Sequence, residues 1–267
     1  PQLCWGVARI SNGVERFIIH GGKKLSGTIP VFGSKNAAGP ALAASLLVRG
    51  ISHLSNIPRI SDVERMIEII ESMGGRVTWG RTRSLRLDTT RLDPLKLNQT
   101  RVKQLRASVL FAGSLIARFG KTRLLEPGGC HLGARSLDTH LKAFRDFGVA
   151  ITRKGDFFYF ARKRTNRNRR EIVLREFSVT ATENILLLAA LTPGTTVIKI
   201  AAAEPHVQDL CTILAAMGAR IEGAGTHTLT VHGRSRLRPF RHELIPDPIE
   251  AGTFLVLGAL TRGKIFV

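Results

Sequence analysis

Three groups of residues have types and spacings that could do chemistry. The sharpest is Glu126-Pro127-Gly128-Gly129-Cys130-His131-Leu132-Gly133-Ala134-Arg135. Three glycines and a proline around one cysteine are turn chemistry, which predicts a thiol carried on a loop. His131, Arg123 and Arg135 would lower its pKa, making Cys130 a candidate nucleophile or acid. Cys211 instead lies on the apolar stripe of a helical pattern, where an inert structural thiol is expected. The second group is three loops rich in capping residues: Gly33-Ser34-Lys35-Asn36, Ser178-Val179-Thr180-Ala181-Thr182 and Asp247-Pro248-Ile249-Glu250-Ala251-Gly252-Thr253. Helix N-termini attract anions, and Lys35 beside one is a candidate phosphate or carboxylate grip. Capping residues start most helices, so this signal is weak alone. The third group is Arg162, Lys163, Arg164, Arg167, Arg169 and Arg170, six cations in nine positions. No aromatics interleave them, and they sit between strand-like stretches at Phe157–Ala161 and Glu171–Arg175. They read as a solvated hairpin loop, with a nucleic-acid footprint as the rival reading.

The charge balance points the same way as Lys35. Forty Lys and Arg against twenty Asp and Glu give +20 over 267 residues, and without the dense run 34 cations still face 20 acids. The excess is spread along the chain and invites an anionic partner: nucleic acid, a membrane surface or a phosphorylated small molecule. An apolar share of 43% with 22% charged residues argues against disorder. No apolar run reaches the roughly 18 residues that span a bilayer, and no signal peptide opens the chain. Three scattered cysteines make no disulfide framework, and neither CxxC, HExxH nor a GxGxxG following a strand is present. A cytoplasmic protein without metal or cofactor is expected.

A repeat must position these residues. PALAASLLVRG, VLFAGSLIARFG, ILLLAALTPG and FLVLGALTRG each read as an apolar helix, ending at Gly50, Gly120, Gly194 and Gly263, with spacings of 70, 74 and 69. A glycine in the left-handed conformation is expected to stop each helix. An amphipathic helix follows inside each period: Val63, Met66, Ile67, Ile70 and Met73; Leu137, Leu141, Phe144 and Phe147; Val207, Leu210, Cys211, Leu214 and Met217. The predicted unit is helix, strand, helix, strand, strand, an α/β (α+β) subdomain with its own sheet. Three copies are complete. The fourth stops after Lys264-Ile265-Phe266-Val267, so apolar surface is expected near that end.

Several motifs resemble the UDP-N-acetylglucosamine 1-carboxyvinyltransferases, a branch of the enolpyruvyl transferase family. They are GSKNAA at 33–38, LRAS at 105–108, ARFG at 117–120, PGGCHLGARSLDTH at 127–140, SVTAT at 178–182, AAAEPHVQD at 201–209 and DPIEAGTF at 247–254. The resemblance implies an inside-out α/β barrel of six repeated subdomains in two domains. It places 34–245 in the first domain, and 1–33 and 246–267 in an incomplete second one. It also implies transfer of the enolpyruvyl group of phosphoenolpyruvate to the 3′-hydroxyl of UDP-N-acetylglucosamine with release of phosphate, the first committed step of peptidoglycan synthesis.

By the same resemblance Lys35, Asn36 and Arg135 contact phosphoenolpyruvate. Arg106, Arg135, Ser136, Leu137, Asp138, Thr139, Glu176, Phe177, Ser178 and Val179 belong to the nucleotide-sugar site. Cys130 corresponds to the family's proton donor, which is able to form an adduct with phosphoenolpyruvate. The sequence departs from the family pattern at Glu176 (lysine in some relatives), Ser136 (usually proline), Thr180 (often glycine) and Pro248 (commonly arginine). The family's general-base aspartate and further anion-binding arginines are expected beyond position 267, so this chain alone is expected to show little activity. Two rival readings stand beside this one. The sister enzyme 5-enolpyruvylshikimate-3-phosphate synthase shares the fold but lacks the glycine-cysteine loop. A non-catalytic, nucleic-acid-binding protein built on the same domain would explain the +20 charge.

Overall fold

A computed structural model describes residues 6–9, 15–18, 21–128, 136–163 and 168–267. Strands β1 (Gly6–Arg9) and β2 (Glu15–Ile18) pair antiparallel, and β3 (Ser26–Thr28) follows. The predicted unit then recurs. Its first copy is α1 (Lys35–Ser45), β4 (Ile51–Ser55), α2 (Ser61–Ser72), β5 (Arg76–Trp79) and β6 (Leu85–Asp88). A short helix α3 (Gln99–Lys103) and a 3₁₀ turn at Arg106–Val109 lead into the second copy. That copy is α4 (Leu110–Phe119), β7 (Lys121–Leu125), α5 (Asp138–Phe147), β8 (Val149–Lys154) and β9 (Phe157–Arg162). Strand β10 (Arg169–Val173) opens the third: α6 (Val179–Ala190), β11 (Gly194–Lys199), α7 (Pro205–Ala216), β12 (Arg220–Glu222) and β13 (Thr228–Gly233). Strand β14 (Arg241–Glu243) follows, and α8 (Pro248–Leu260) and β15 (Lys264–Phe266) begin a fourth.

The apolar helices are apolar all round because protein surrounds them. Residues 37–45 of α1, 110–117 of α4 and 181–190 of α6 are buried on every side. The second helix of each unit buries one stripe instead, including Val63, Met66, Ile67 and Ile70 on α2, and Val207, Leu210, Cys211 and Leu214 on α7. Sheet strands such as β6 and β9 alternate buried and exposed residues, so one face of each sheet meets solvent. Within residues 32–248, helices inside and half-covered sheets outside give the layering of an inside-out α/β barrel.

The inner helices touch one repeat period apart. Gly39 on α1 lies against the Leu110 side chain at the start of α4. One turn further on, Ser114 Oγ donates to the Ala43 carbonyl at 2.6 Å. At the far end Arg118 donates to the carbonyls of Leu46 (2.9 Å) and Val48 (2.7 Å). Contacts advancing together along both chains mean that α1 and α4 run parallel. Helices α4 and α6 meet where Gly113 N–H donates to Asn184 Oδ1 at 2.8 Å. A Cβ at Gly113 would stand 2.5 Å from the Asn184 carbonyl oxygen, so glycine is required there.

Each unit's three strands form one antiparallel sheet, and the first and third sheets gain a parallel fourth strand. Their orders are β14-β4-β6-β5 and β10-β11-β13-β12, whereas the second stops at β7-β9-β8. On the β7 edge the side chain of Gln99 substitutes for a strand. Its Nε2 donates to the Arg123 carbonyl (3.1 Å), and its Oε1 accepts from Leu125 N–H (2.8 Å). These pairings overturn the hairpin reading of the cationic run, because β9 and β10 belong to different sheets. Residues 164–167 of that run lie outside the described residues. Arg170 is buried with its guanidinium on the Phe147 ring, and Arg162 donates to Thr192 Oγ1 at 3.0 Å.

Of the four predicted glycine stops only Gly120 ends its helix: α1 ends at Ser45 and α6 at Ala190, five and four residues ahead of Gly50 and Gly194, whose positive φ values lie at the entries to β4 and β11. Gly120 and Gly148 cap α4 and α5 in the left-handed region, whereas at the end of α8 the positive φ (49°) falls on Arg262. Gly263 is needed for a different reason, since a Cβ there would meet the Leu25 carbonyl oxygen at 1.9 Å. Chain contacts divide the protein into two compact units, Phe32–Pro248 and Pro1–Val31 with Ile249–Val267. In the smaller unit β15 pairs parallel with β3, and α8 leaves Ile249, Leu255, Val256 and Leu260 more than half exposed, as the interrupted repeat predicted. No helix among the described residues is long and apolar enough to cross a membrane.

Candidate functional site

Parallel inner helices bring their N-terminal ends to one side. Lys35, the first residue of α1, and Arg106, which opens the turn into α4, are 71 positions apart and occupy equivalent places in successive repeats. Ser178, the N-cap of α6, lies 72 positions further on. Ser34 and Ser178 cap their helices, their hydroxyls accepting from Ala37 N–H (3.3 Å) and Ala181 N–H (3.4 Å).

At α1 the cation is already engaged. Lys35 Nζ stands 2.6 Å from Asp62 Oδ2, and Lys35 N–H donates to Asp247 Oδ2 at 3.2 Å. Asp247 thus sets a carboxylate on the helix end that the capping pattern marked for an anion. Asn36 follows, exposed. Asp62 was not legible as a site residue, because at the start of an amphipathic helix it reads only as a first-turn acid.

The second cluster joins Arg106, α5 and α6. Arg106 donates to the Ser136 carbonyl at 3.4 Å, and Ser136 Oγ accepts from Asp138 N–H at 2.9 Å. Leu137 is buried at the head of α5, with Asp138 exposed beside it. Thr139 Oγ1 donates to Glu176 Oε1 at 2.9 Å, which ties α5 to the segment entering α6. Glu176 and Phe177 are exposed, Ser178 and Val179 half-buried, and the Phe177 ring packs 4.5 Å from that of His227. Ser136, Leu137, Asp138 and Thr139 are thereby brought together with Arg106 and Glu176. Cys130 and Arg135 lie outside the described residues.

His140, within the same motif but not marked by its residue type, adjoins this cluster. It is buried, with Nε2 2.9 Å from Thr180 Oγ1, and Nδ1 is enclosed without a hydrogen-bond partner among the described residues. Burial chiefly, and the nearby Arg106 guanidinium next, pull its pKa down to about 4. A neutral imidazole therefore braces Thr180 at neutral pH. The remaining cysteine among the described residues, Cys211, is buried and its thiol pushed up to about 12, first by desolvation and then by Glu183, as a structural thiol should be. Among the described residues no group of three His, Cys, Asp or Glu side chains is placed to hold a metal.

Chemically, the two clusters offer the cations Lys35 and Arg106, two capped helix ends and a neutral histidine, with Asp62, Asp247 and Glu176 as acidic neighbours. Comparison with known proteins gives these clusters a family context. A UDP-N-acetylglucosamine 1-carboxyvinyltransferase of Coxiella burnetii (strain Dugway 5J108-111) is 42% identical over 252 residues, covering 94% of this chain and 58% of the relative. One from Symbiobacterium thermophilum is 41% identical over 265 residues, covering 98% and 60%. The chain thus spans about three-fifths of the length of these relatives. Among solved structures, the enolpyruvyl transferase NikO from Streptomyces tendae superposes with a TM-score of 0.75 at 27% identity, over 89% of this chain and 56% of that one. EPSP synthase from Acinetobacter baumannii shares the fold with a TM-score of 0.67 at 17% identity, over 88% and 53%. Residues 19–267 match the family described as EPSP synthase (3-phosphoshikimate 1-carboxyvinyltransferase), and the chain belongs to that family of enolpyruvyl transferases.

Proposed function

We propose that this chain is the substrate-gripping part of an enolpyruvyl transferase that moves the enolpyruvyl group of phosphoenolpyruvate to the 3′-hydroxyl of UDP-N-acetylglucosamine, in the cytoplasm, as the first committed step of peptidoglycan synthesis. The observation that supports the reading is that Lys35 and Arg106 open α1 and α4, which run parallel, at equivalent places in successive repeats, with Ser178 capping α6 at the next equivalent place. Lys35 and Asn36, with Arg135, hold phosphoenolpyruvate; an incoming anion competes with Asp62 and Asp247 for Lys35 and the α1 amide end. Arg106, Arg135, Ser136, Leu137, Asp138, Thr139, Glu176, Phe177, Ser178 and Val179 form the nucleotide-sugar wall. Cys130 delivers the proton to the vinyl carbon, while cations balance the charge that develops as the tetrahedral intermediate forms. Residues 34–245 make the first domain; supporting this, the compact units divide between residues 31 and 32 and between 248 and 249.

Phosphate release from the two substrates tests the reading. This chain alone is expected to give negligible release, and a version extended to its relatives' length measurable release. Equal turnover by both would refute the expectation that the base lies beyond position 267. In the extended protein Cys130→Ser should block alkylation by fosfomycin, and unchanged labelling would put the reactive thiol elsewhere. Release from shikimate 3-phosphate, and none from UDP-N-acetylglucosamine, would select the sister activity instead.

A further inference from the structure

At the opposite, C-terminal end of the inner helices lies an open cavity of about 880 Å³. Its lining contains five arginines, Arg49, Arg118, Arg234, Arg236 and Arg238, and no aspartate or glutamate. Elsewhere cations such as Arg59, Arg101 and Arg153 each hold a carboxylate. One role of these arginines is structural. Arg118 donates to the Leu46, Val48 and Thr89 carbonyls, Arg234 Nε to the Gly218 carbonyl (3.3 Å) and Arg238 Nε to the Ala216 carbonyl (2.9 Å). These bonds satisfy carbonyls at and beyond helix C-termini.

The structural role does not account for the rest. Arg234 and Arg238 spend one N–H each, and their terminal amino groups make no further hydrogen bond among the described residues. Arg49 and Arg236 are exposed and, among the described residues, make no hydrogen bond or ion pair. Arg49 also presses on Arg118, whose guanidinium is lowered to about 10, mainly by burial. Converging like charges with no acid nearby favour binding of a multivalent anion. The floor is of another kind: Leu47, Val48, Leu191, Met217 and Leu237 are apolar.

We infer that this cavity is a binding site for an organic oligophosphate of the nucleoside di- or triphosphate class, with its phosphates on Arg49, Arg234, Arg236 and Arg238 and its less polar body on the apolar floor. Its volume falls in the usual range for small-ligand sites, roughly 300–1,000 Å³. It is separate from the candidate substrate site, because the eleven residues of α1 set the two ends about 16 Å apart.

The probe is ATP without divalent metal, titrated calorimetrically into the 267-residue chain. The double variant Arg49→Gln/Arg236→Gln removes two exposed cations without hydrogen bonds, and Arg81→Gln/Arg91→Gln makes the same charge change elsewhere. Saturable binding should weaken at least about tenfold in the first variant and be unchanged in the second and in Arg106→Gln. Raising salt should weaken it as well. Three outcomes overturn the inference: no saturable binding, equal weakening by both doubles, or loss in Arg106→Gln alone. Binding of a single-stranded oligonucleotide with none of ATP overturns it too, by assigning the arginines to a nucleic-acid backbone. If the double variant melts early, Arg236→Glu alone gives the same reading.

Discussion

Acid should loosen this protein through His140. In the folded chain the ring is enclosed and its pKa held at about 4; in the unfolded chain it returns to its ordinary 6.5. A group whose folded pKa is depressed contributes stability that is complete above the unfolded value and is lost as pH falls toward the folded one. Between pH 7.5 and 4.5 the unfolded ring takes up its proton while the folded ring largely refuses it. With 1.36 kcal/mol per pKa unit, that difference amounts to about 2.5 kcal/mol by pH 4.5. For a unit of this size it should lower Tm by roughly 5–10 °C. The assay is thermal melting of wild type and His140→Gln from pH 7.5 to 4.5. His206, also lowered chiefly by burial, acts alike in both proteins, so the difference in slope isolates His140. The variant is expected to start lower at pH 7.5 and to lose less on acidification. Identical slopes would refute the reasoning and mean that the ring is hydrated in solution.

Gly113→Ala sets helix propensity against packing: alanine favours α4 by about 1 kcal/mol, while a Cβ 2.5 Å from a backbone oxygen that cannot rotate away costs roughly 1–3. A drop in Tm of a few degrees is expected, and a rise would mean that α4 and α6 are not in close contact. Glu183 is fully buried, with Oε1 unpaired among the described residues, and its pKa is raised well above 4.5 by burial and by Glu204. A raised pKa gives stability that is complete below 4.5 and fades as pH climbs toward the folded value, so Glu183→Gln should gain on wild type with increasing pH in urea melts; a constant gap would contradict this. Gln99→Ala should unpair the β7 edge and lose about 1–2 kcal/mol, visible as faster hydrogen exchange at Leu125 N–H. Unchanged protection there would show that water serves as well as the amide.

What was legible follows from local physics. Three of the four apolar runs gave the inner helices α1, α4 and α6, since a helix buried on all sides needs apolar residues throughout. The stripes from Val63 to Met73 and from Val207 to Met217 gave the outer ones. Edge partners were not legible, because a strand's hydrogen bonds carry no sequence label. Nothing in Arg241–Glu243 says that it joins β4, and Phe157–Ala161 followed by Glu171–Arg175 looks like a hairpin although the two strands diverge. Gln99 escaped for the same reason. At the candidate site the motifs marked Lys35, Arg106 and Ser178, but Asp62 and Asp247 became partners of Lys35 only through the tertiary fold. The arginines of the cavity come from three separated segments, which composition registers only as excess charge.

The parallel strand that completes the first sheet has a consequence for synthesis. β4 ends at Ser55, yet β14, its edge partner, is not translated until Glu243. A ribosome adding roughly 5–20 residues per second needs roughly 10 to 40 s to cover that interval. Throughout it, the nascent chain presents an unsealed β edge of the kind that recruits other chains. A chaperone that holds the emerging polypeptide would cover this edge during the delay.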